Sequence, residues 1–118
     1  ENVTITFIPH LIPVNSGIAT TTTAKLKAGA DMAAVGKALE DAYADAHFVR
    51  LLGEGGCADT KHVSRTNFID IGWHHDARTG RIILTSAEDN LGKGAGGQAI
   101  QSFNLMFGLG PPDGLQNF

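Results

Sequence analysis

The chain has 118 residues, which fits one domain. Nine Lys and Arg against twelve Asp and Glu give a formal charge of -3, so no electrostatic footprint for nucleic acid is expected. Its longest apolar runs are too short to span a bilayer, no basic amphipathic helix suggests a membrane surface, and a lone cysteine, Cys57, allows no internal disulfide framework. That cysteine usage favours a reducing cytoplasm. The sequence opens on Glu1 and enters a strand-like run almost at once, as a fragment would.

In chain order, Val3 to Ile8 alternates β-branched and aromatic residues and reads as a first strand. Pro9 and Pro13 bracket a turn or extended connection. A second strand is expected from Ile18 to Lys27, through four consecutive threonines at Thr20 to Thr23. Asp31 is placed to cap a helix in which Met32, Val35, Leu39, Ala42, Tyr43 and Ala46 recur at three- and four-residue steps. Lys37, Glu40, Asp41 and Asp45 fall on its opposite face.

Phe48 to Leu52 follows as a short strand, and Gly53, Gly55 and Gly56 suggest a flexible loop carrying Cys57. Asn67 to Trp73 and Arg81 to Thr85 read as an antiparallel hairpin joined by Ala77-Arg78-Thr79-Gly80. A last helix, about 92–107, carries Ala95, Ala99, Ile100, Phe103, Met106 and Phe107 on its apolar face, and Gly108, Gly110, Pro111 and Pro112 stop it. Hairpin-linked strands with two helices predict an α+β fold, a mostly antiparallel mixed sheet covered on one face.

Gly92-Lys93-Gly94-Ala95-Gly96-Gly97 satisfies the G-x-G-x-x-G dinucleotide fingerprint. A Rossmann unit needs a second parallel strand after the helix, ending in an acidic residue, and none follows here. Lys93 is followed by Gly94 rather than Ser or Thr, so the phosphate-loop pattern fails too. Two readings stay open: small residues let this helix approach another backbone closely, or its N-terminus attracts an anion with help from Lys93.

Cys57 lies beside Asp59, whose carboxylate would raise a thiol's pKa, and reads as an ordinary loop cysteine rather than a nucleophile. His74 and His75 are placed at the hairpin tip, where neighbouring strand residues point to opposite faces and chelate one metal poorly. His10 and His47 stand alone, His62 is near Cys57 in sequence only, and Glu88 and Asp89, being adjacent, do not converge across a cleft. Spacing alone names no catalytic residue and no metal site.

Several stretches resemble the later part of N-acetyl-gamma-glutamyl-phosphate reductases. These are Phe7-Ile8-Pro9-His10-Leu11-Ile12-Pro13 running into Gly17-Ile18-Ala19-Thr20, then Phe48-Val49-Arg50-Leu51-Leu52, Thr60, Val63 and Asn67 to Gly72. The strongest is Ser86-Ala87-Glu88-Asp89-Asn90-Leu91-Gly92-Lys93-Gly94-Ala95, followed by Gly97-Gln98-Ala99-Ile100-Gln101 and Asn104. The resemblance implies an NADPH-dependent enzyme of arginine biosynthesis. In such an enzyme a cysteine attacks an acyl phosphate, and the resulting thioester is reduced to the semialdehyde.

The family's Pro-Gly-Cys-Tyr-Pro type motif does not occur here, nor does the Gly-rich loop of its nucleotide domain. The resemblance therefore implies the second domain alone, residues 1–118, like the C-terminal domain of glyceraldehyde-3-phosphate-dehydrogenase-like proteins. It would pair with a second copy through its sheet, and its last helix would pack back on the missing nucleotide domain. On this reading Asn90, Gly92 and Lys93 lie on the cofactor side, NADP being held mainly by the missing domain. Ser16 lies on the substrate side, where the resemblance leads one to expect an Arg before Gly17. Either a neighbour such as Lys25 compensates for the absent charge, or substrate affinity is altered. The other reading left open is a free-standing dimerising or small-ligand-binding module of the same fold.

Overall fold

The structure, a computed structural model, describes residues 3–115; Glu1, Asn2 and residues 116–118, the ends of the expected 1–118 domain, lie outside it. Four strands form one sheet: β1 (Ile18–Lys25), β2 (Val49–Glu54), β3 (Ile69–Asp76) and β4 (Arg81–Glu88). Two α-helices accompany them, α1 (Met32–Tyr43) and α2 (Gly97–Met106), with a single 3₁₀ turn at Thr60–His62 and a π-helical turn at Gly92–Gly96. The strand order is β1-β4-β3-β2. β4 pairs antiparallel with both β1 and β3, whereas β2 and β3 run parallel. The architecture is α+β with a mixed, mainly antiparallel sheet, as expected.

The β3–β4 hairpin closes as the turn chemistry predicts. Asp76 accepts from the Arg78 amide at 3.1 Å and the Thr79 hydroxyl at 2.9 Å, and Gly80 takes φ +65°. His74 and His75 belong to β3 itself rather than to the hairpin tip. Among the described residues no group of three or more His, Cys, Asp or Glu could hold a metal ion. No helix there is long and apolar enough to cross a membrane.

α1 starts where the capping residue sets it, with Asp31 Oδ1 accepting from the Ala34 amide at 2.8 Å. Met32, Val35 and Leu39 are half-buried, and Lys37 and Asp41 pair at 2.9 Å on the exposed side. Gly36 lies against the buried Trp73 indole, so α1 covers one face of the sheet. The opposite face carries the connection that follows β2. There Gly56 packs on Gly72 with no room for a side chain at either position, and the Ala58 amide donates to Thr85 Oγ1 at 3.2 Å. The Gly-rich stretch is therefore packed, contrary to the flexible loop expected. Gly53 and Glu54 extend β2 through a register shift after Leu51.

Val3 to Ile8 is the main departure. It is extended but pairs with no strand, and Phe7 stays 79% exposed. Alternation predicts a strand's side-chain pattern; a strand also needs a neighbour to take its backbone hydrogen bonds, and among the described residues no strand pairs with this segment.

Candidate functional site

β1 and β4 converge at Ile18 opposite Glu88, and just past that end two dipeptides meet. The Gly17 amide donates to Asn90 Oδ1 at 2.7 Å. The neighbouring Ser16 hydroxyl helps to hold the Asp89 carboxyl below its ordinary value. Gly17 suits the approach, with φ +121° and the Thr60 side chain where a Cβ would stand.

Asp89 is 3% exposed, yet its carboxylate is well provided with donors. Oδ1 accepts from the amides of Leu91 at 2.8 Å and Gly92 at 3.0 Å, as a helix-capping residue does. Oδ2 accepts from the Arg65 amide at 2.7 Å. The Arg65 amide foremost holds the carboxyl below its ordinary value; burial opposes this, and the Gly92 and Leu91 amides and the Ser16 hydroxyl add to it. Arg65 adopts φ +59°, the left-handed region that a side chain rarely occupies.

Beyond Asp89 the chain makes its π-helical turn, with the Gly94 amide donating to the Asp89 carbonyl and the Gly96 amide to the Leu91 carbonyl, both at 3.0 Å. Two glycines of the fingerprint-like run, Gly92 and Gly97, are explained by packing, whereas Gly94 and Gly96 have room for a Cβ. Gly92 presses on the Thr66 carbonyl and Gly97 on the Asn67 side-chain oxygen, neither leaving space for a Cβ. The close-approach reading of this run is thus the one the geometry supports. The Gly92 amide is already taken by Asp89, and Lys93 turns away from the turn's mouth. Its ammonium donates to Gln101 Oε1 at 2.8 Å and sits 5.9 Å from the Phe48 ring centre. Burial pushes the Lys93 pKa down, with Glu88 acting against it.

The structure therefore brings Ser16 and Asn90 together, with Gly92 one bond away through Asp89, and sets Lys93 in a separate cluster with Asn67 and Gln101. Asn67 donates to Gln101 Oε1 at 3.1 Å, while its own oxygen lies over Gly97 without a hydrogen-bond partner. Asn90 commits its oxygen to Gly17, which leaves its amide nitrogen with no partner among the described residues. Lys25 cannot replace a cation at position 16: it ends β1, about 23 Å along the strand from Ile18.

Asp89 was weighed in the sequence only as a carboxylate beside Glu88 and set aside, and Arg65 was not singled out. The pattern Asp89-Asn90-Leu91-Gly92 does carry a local signal, since an aspartate commonly caps amides two and three residues on. The bond from the Arg65 amide crosses the fold, and nothing in the spacing announces it.

On the far side, Arg50 and Asp70 form a two-bond ion pair at 2.6 and 3.0 Å beneath a shallow groove also lined by Leu52, Gly56, Cys57 and His62. Arg50 also donates to the His62 carbonyl at 3.0 Å and lies 5.0 Å from the Phe68 ring centre. Cys57 is exposed and makes only a 3.9 Å contact with the Ala58 carbonyl, so the groove brings it no hydrogen-bonded base.

The family described as semialdehyde dehydrogenase, dimerisation domain, matches residues 1–90 of this chain. The chain belongs to that family. Proteins named N-acetyl-gamma-glutamyl-phosphate reductase are similar to it over nearly its whole length. One from Akkermansia muciniphila is 63% identical over 115 residues, 98% of this chain and 33% of that protein. Those from Desulforapulum autotrophicum and Rhodospirillum rubrum are 47% identical over 118 residues and 49% identical over 113. They cover 100% and 96% of this chain, and 34% and 32% of their own lengths. The chain thus spans about a third of the curated relatives it matches. The matched dimerisation domain takes in β1 to β4 and the Ser16–Asn90 meeting point, while α2 follows it.

Proposed function

We propose that this chain is the substrate-side and dimerisation domain of an NADPH-dependent N-acetyl-gamma-glutamyl-phosphate reductase, working in the cytoplasm in arginine biosynthesis. Identity of 63% to a protein of that name, across 98% of the chain, carries the reading. In the reaction class this implies, a cysteine thiolate outside this chain displaces phosphate from the acyl carbon and forms a thioester. NADPH, when bound, supplies the hydride that reduces the thioester to the semialdehyde as the thiolate leaves. No catalytic residue is assigned to this chain, and the piece alone is expected to be inactive. No metal is called for.

Within this chain, the Ser16–Gly17 segment forms the substrate-side wall and the turn from Asn90 the cofactor-side wall. The unpartnered amide nitrogen of Asn90 is the group available to a ligand there. Gly92 and Lys93 act at one remove: Gly92 by letting the turn close on Thr66, Lys93 by fastening it to Gln101. The sheet faces a second copy of the chain.

α2 supports the presence of a further domain. Ile100 is 41% and Met106 80% exposed, and Phe103 and Phe107 stack on each other at 4.5 Å without cover. A free-standing module would have to cover that face within its own dimer, since the described residues of one chain leave it exposed. Sequencing the reading frame upstream of the Glu1 codon tests the proposal. A Gly-rich βαβ region and a Pro-Gly-Cys motif are expected there; a start codon immediately before Glu1 would withdraw the enzyme assignment.

A further inference from the structure

The stretch from Thr60 to Arg65 touches both walls of the proposed site. One end lies under Gly17, where the Thr60 side chain fills the space a Cβ would need. The other end is tied to the residue before Asn90, because the Arg65 amide donates to Asp89 Oδ2 at 2.7 Å. Two successive turns fix the ends relative to each other. The Val63 amide donates to the Thr60 carbonyl at 3.3 Å, and the Thr66 amide to the Val63 carbonyl at 3.1 Å, with the Val63 side chain fully buried. Gly17 in turn donates to Asn90 Oδ1 at 2.7 Å, so Thr60, Gly17, Asn90, Asp89 and Arg65 close a ring.

Arg65 is the odd member of that ring. It holds φ +59°, which glycine adopts without penalty, and glycine would present the same amide to Asp89. What arginine adds is an exposed guanidinium that makes no hydrogen bond or ion pair among the described residues. A strained residue kept beside a site points to a task for its side chain. Other cations are committed or distant. Lys61 pairs with Asp59 at 3.4 Å, Arg50 with Asp70 at 2.6 Å, and Lys93 donates to Gln101 at 2.8 Å. Lys25 ends β1, far from Ile18, and Val14 to Gly17 carry no charge.

We infer that Arg65 supplies the guanidinium that binds an anionic group of the substrate beside the Gly17–Asn90 meeting point. The inference rests on the reductase reading. An acyl phosphate of N-acetylglutamate carries two such groups, its phosphate and the carboxylate of its amino-acid part. A guanidinium holds either through two parallel N–H···O bonds. Arg65 makes and breaks no bond of the substrate; its contribution is to binding.

The test uses the full-length protein with the reaction run in reverse, where the semialdehyde brings the carboxylate and phosphate is a separate reactant. Arg65→Gly removes the guanidinium while keeping the amide to Asp89 in a conformation glycine favours, so folding is retained. It should raise the KM of the semialdehyde or of phosphate roughly tenfold or more, with the NADP⁺ KM within about twofold of the parent. The reactant whose KM rises identifies the anion. Arg65→Asn, whose side chain also tolerates the left-handed region, should show the same loss. Arg65→Lys, which keeps the charge without the planar fork, should show a smaller one. All three KM values within about twofold of the parent, or equal rises in all three, would overturn the inference while leaving the reductase reading intact. A parent protein without reductase activity would remove both.

Discussion

At the scale of single residues, the candidate site is held by groups whose own conformations are costly. Arg65 sits at φ +59° because its amide must reach Asp89 Oδ2, and a left-handed arginine costs on the order of 1 kcal/mol relative to glycine. Arg65→Gly is therefore expected to leave stability unchanged or raise it by up to about 1 kcal/mol in urea unfolding, whereas Arg65→Val should lower it. Asp89 gives a pH dependence whose sign follows from its depressed pKa. The carboxylate contributes its full stabilisation above the unfolded-state value of about 3.9 and loses it as pH falls through the lower folded-state value. Unfolding midpoints between about pH 5 and pH 2 should show an acid limb that is shallower in Asp89→Asn than in the parent. Asp59 and Asp76 are depressed too, by the Lys61 amide and the Thr79 hydroxyl respectively, so part of the limb should survive.

At the scale of elements, what was legible followed local chemistry, and what was not depended on partners elsewhere. The start of α1 was readable because Asp31 caps it and Met32, Val35 and Leu39 share one half-buried face, although the helix ends at Tyr43, short of Ala46, and Ala42 and Tyr43 are exposed. The β3–β4 turn was readable because Asp76 and Gly80 each have a specific task there. The parallel pairing of β2 with β3 was not, since residues 55–68 form a crossover without an α-helix, and its only helical piece is Thr60–His62. Where a last helix was expected at about 92–107, α2 covers Gly97–Met106 and is preceded by a π-helical turn, with Asp89 and Leu91 accepting bonds from amides five residues on. Ser16 and Asn90 were named as site residues from resemblance; that Gly17, next to Ser16, bonds to Asn90 could be known only once β1 lay beside β4. α2 yields its own test. Ile100→Lys with Met106→Lys should shift the unfolding free energy of the 118-residue chain by no more than about 0.5 kcal/mol, because both side chains are exposed there. In the full-length protein the same pair should lower the thermal midpoint and the activity, because the proposed function sets this helix face against a nucleotide domain.

At the scale of the whole molecule, the chain is more open than its length warrants. Its radius of gyration is 15.7 Å, against about 13.5 Å for a compact domain of this size. The apolar residues exposed on 3–14 and on α2 account for the difference in character: each is patterned for burial, and neither finds its cover within these residues. A dimerisation domain that matches about a third of its relatives' length would have both kinds of neighbour, a second copy and the remainder of the chain. The most direct measurement of this account is the reductase reaction run in reverse, following NADPH formation from N-acetylglutamate semialdehyde, phosphate and NADP⁺. It should be made on the full-length protein and on the 118-residue chain side by side. Turnover by the full-length protein with none by the chain alone is the result expected. Turnover by the chain alone would contradict it, because Cys57 lacks a base and would have to serve as the nucleophile; silence from the full-length protein would contradict it equally.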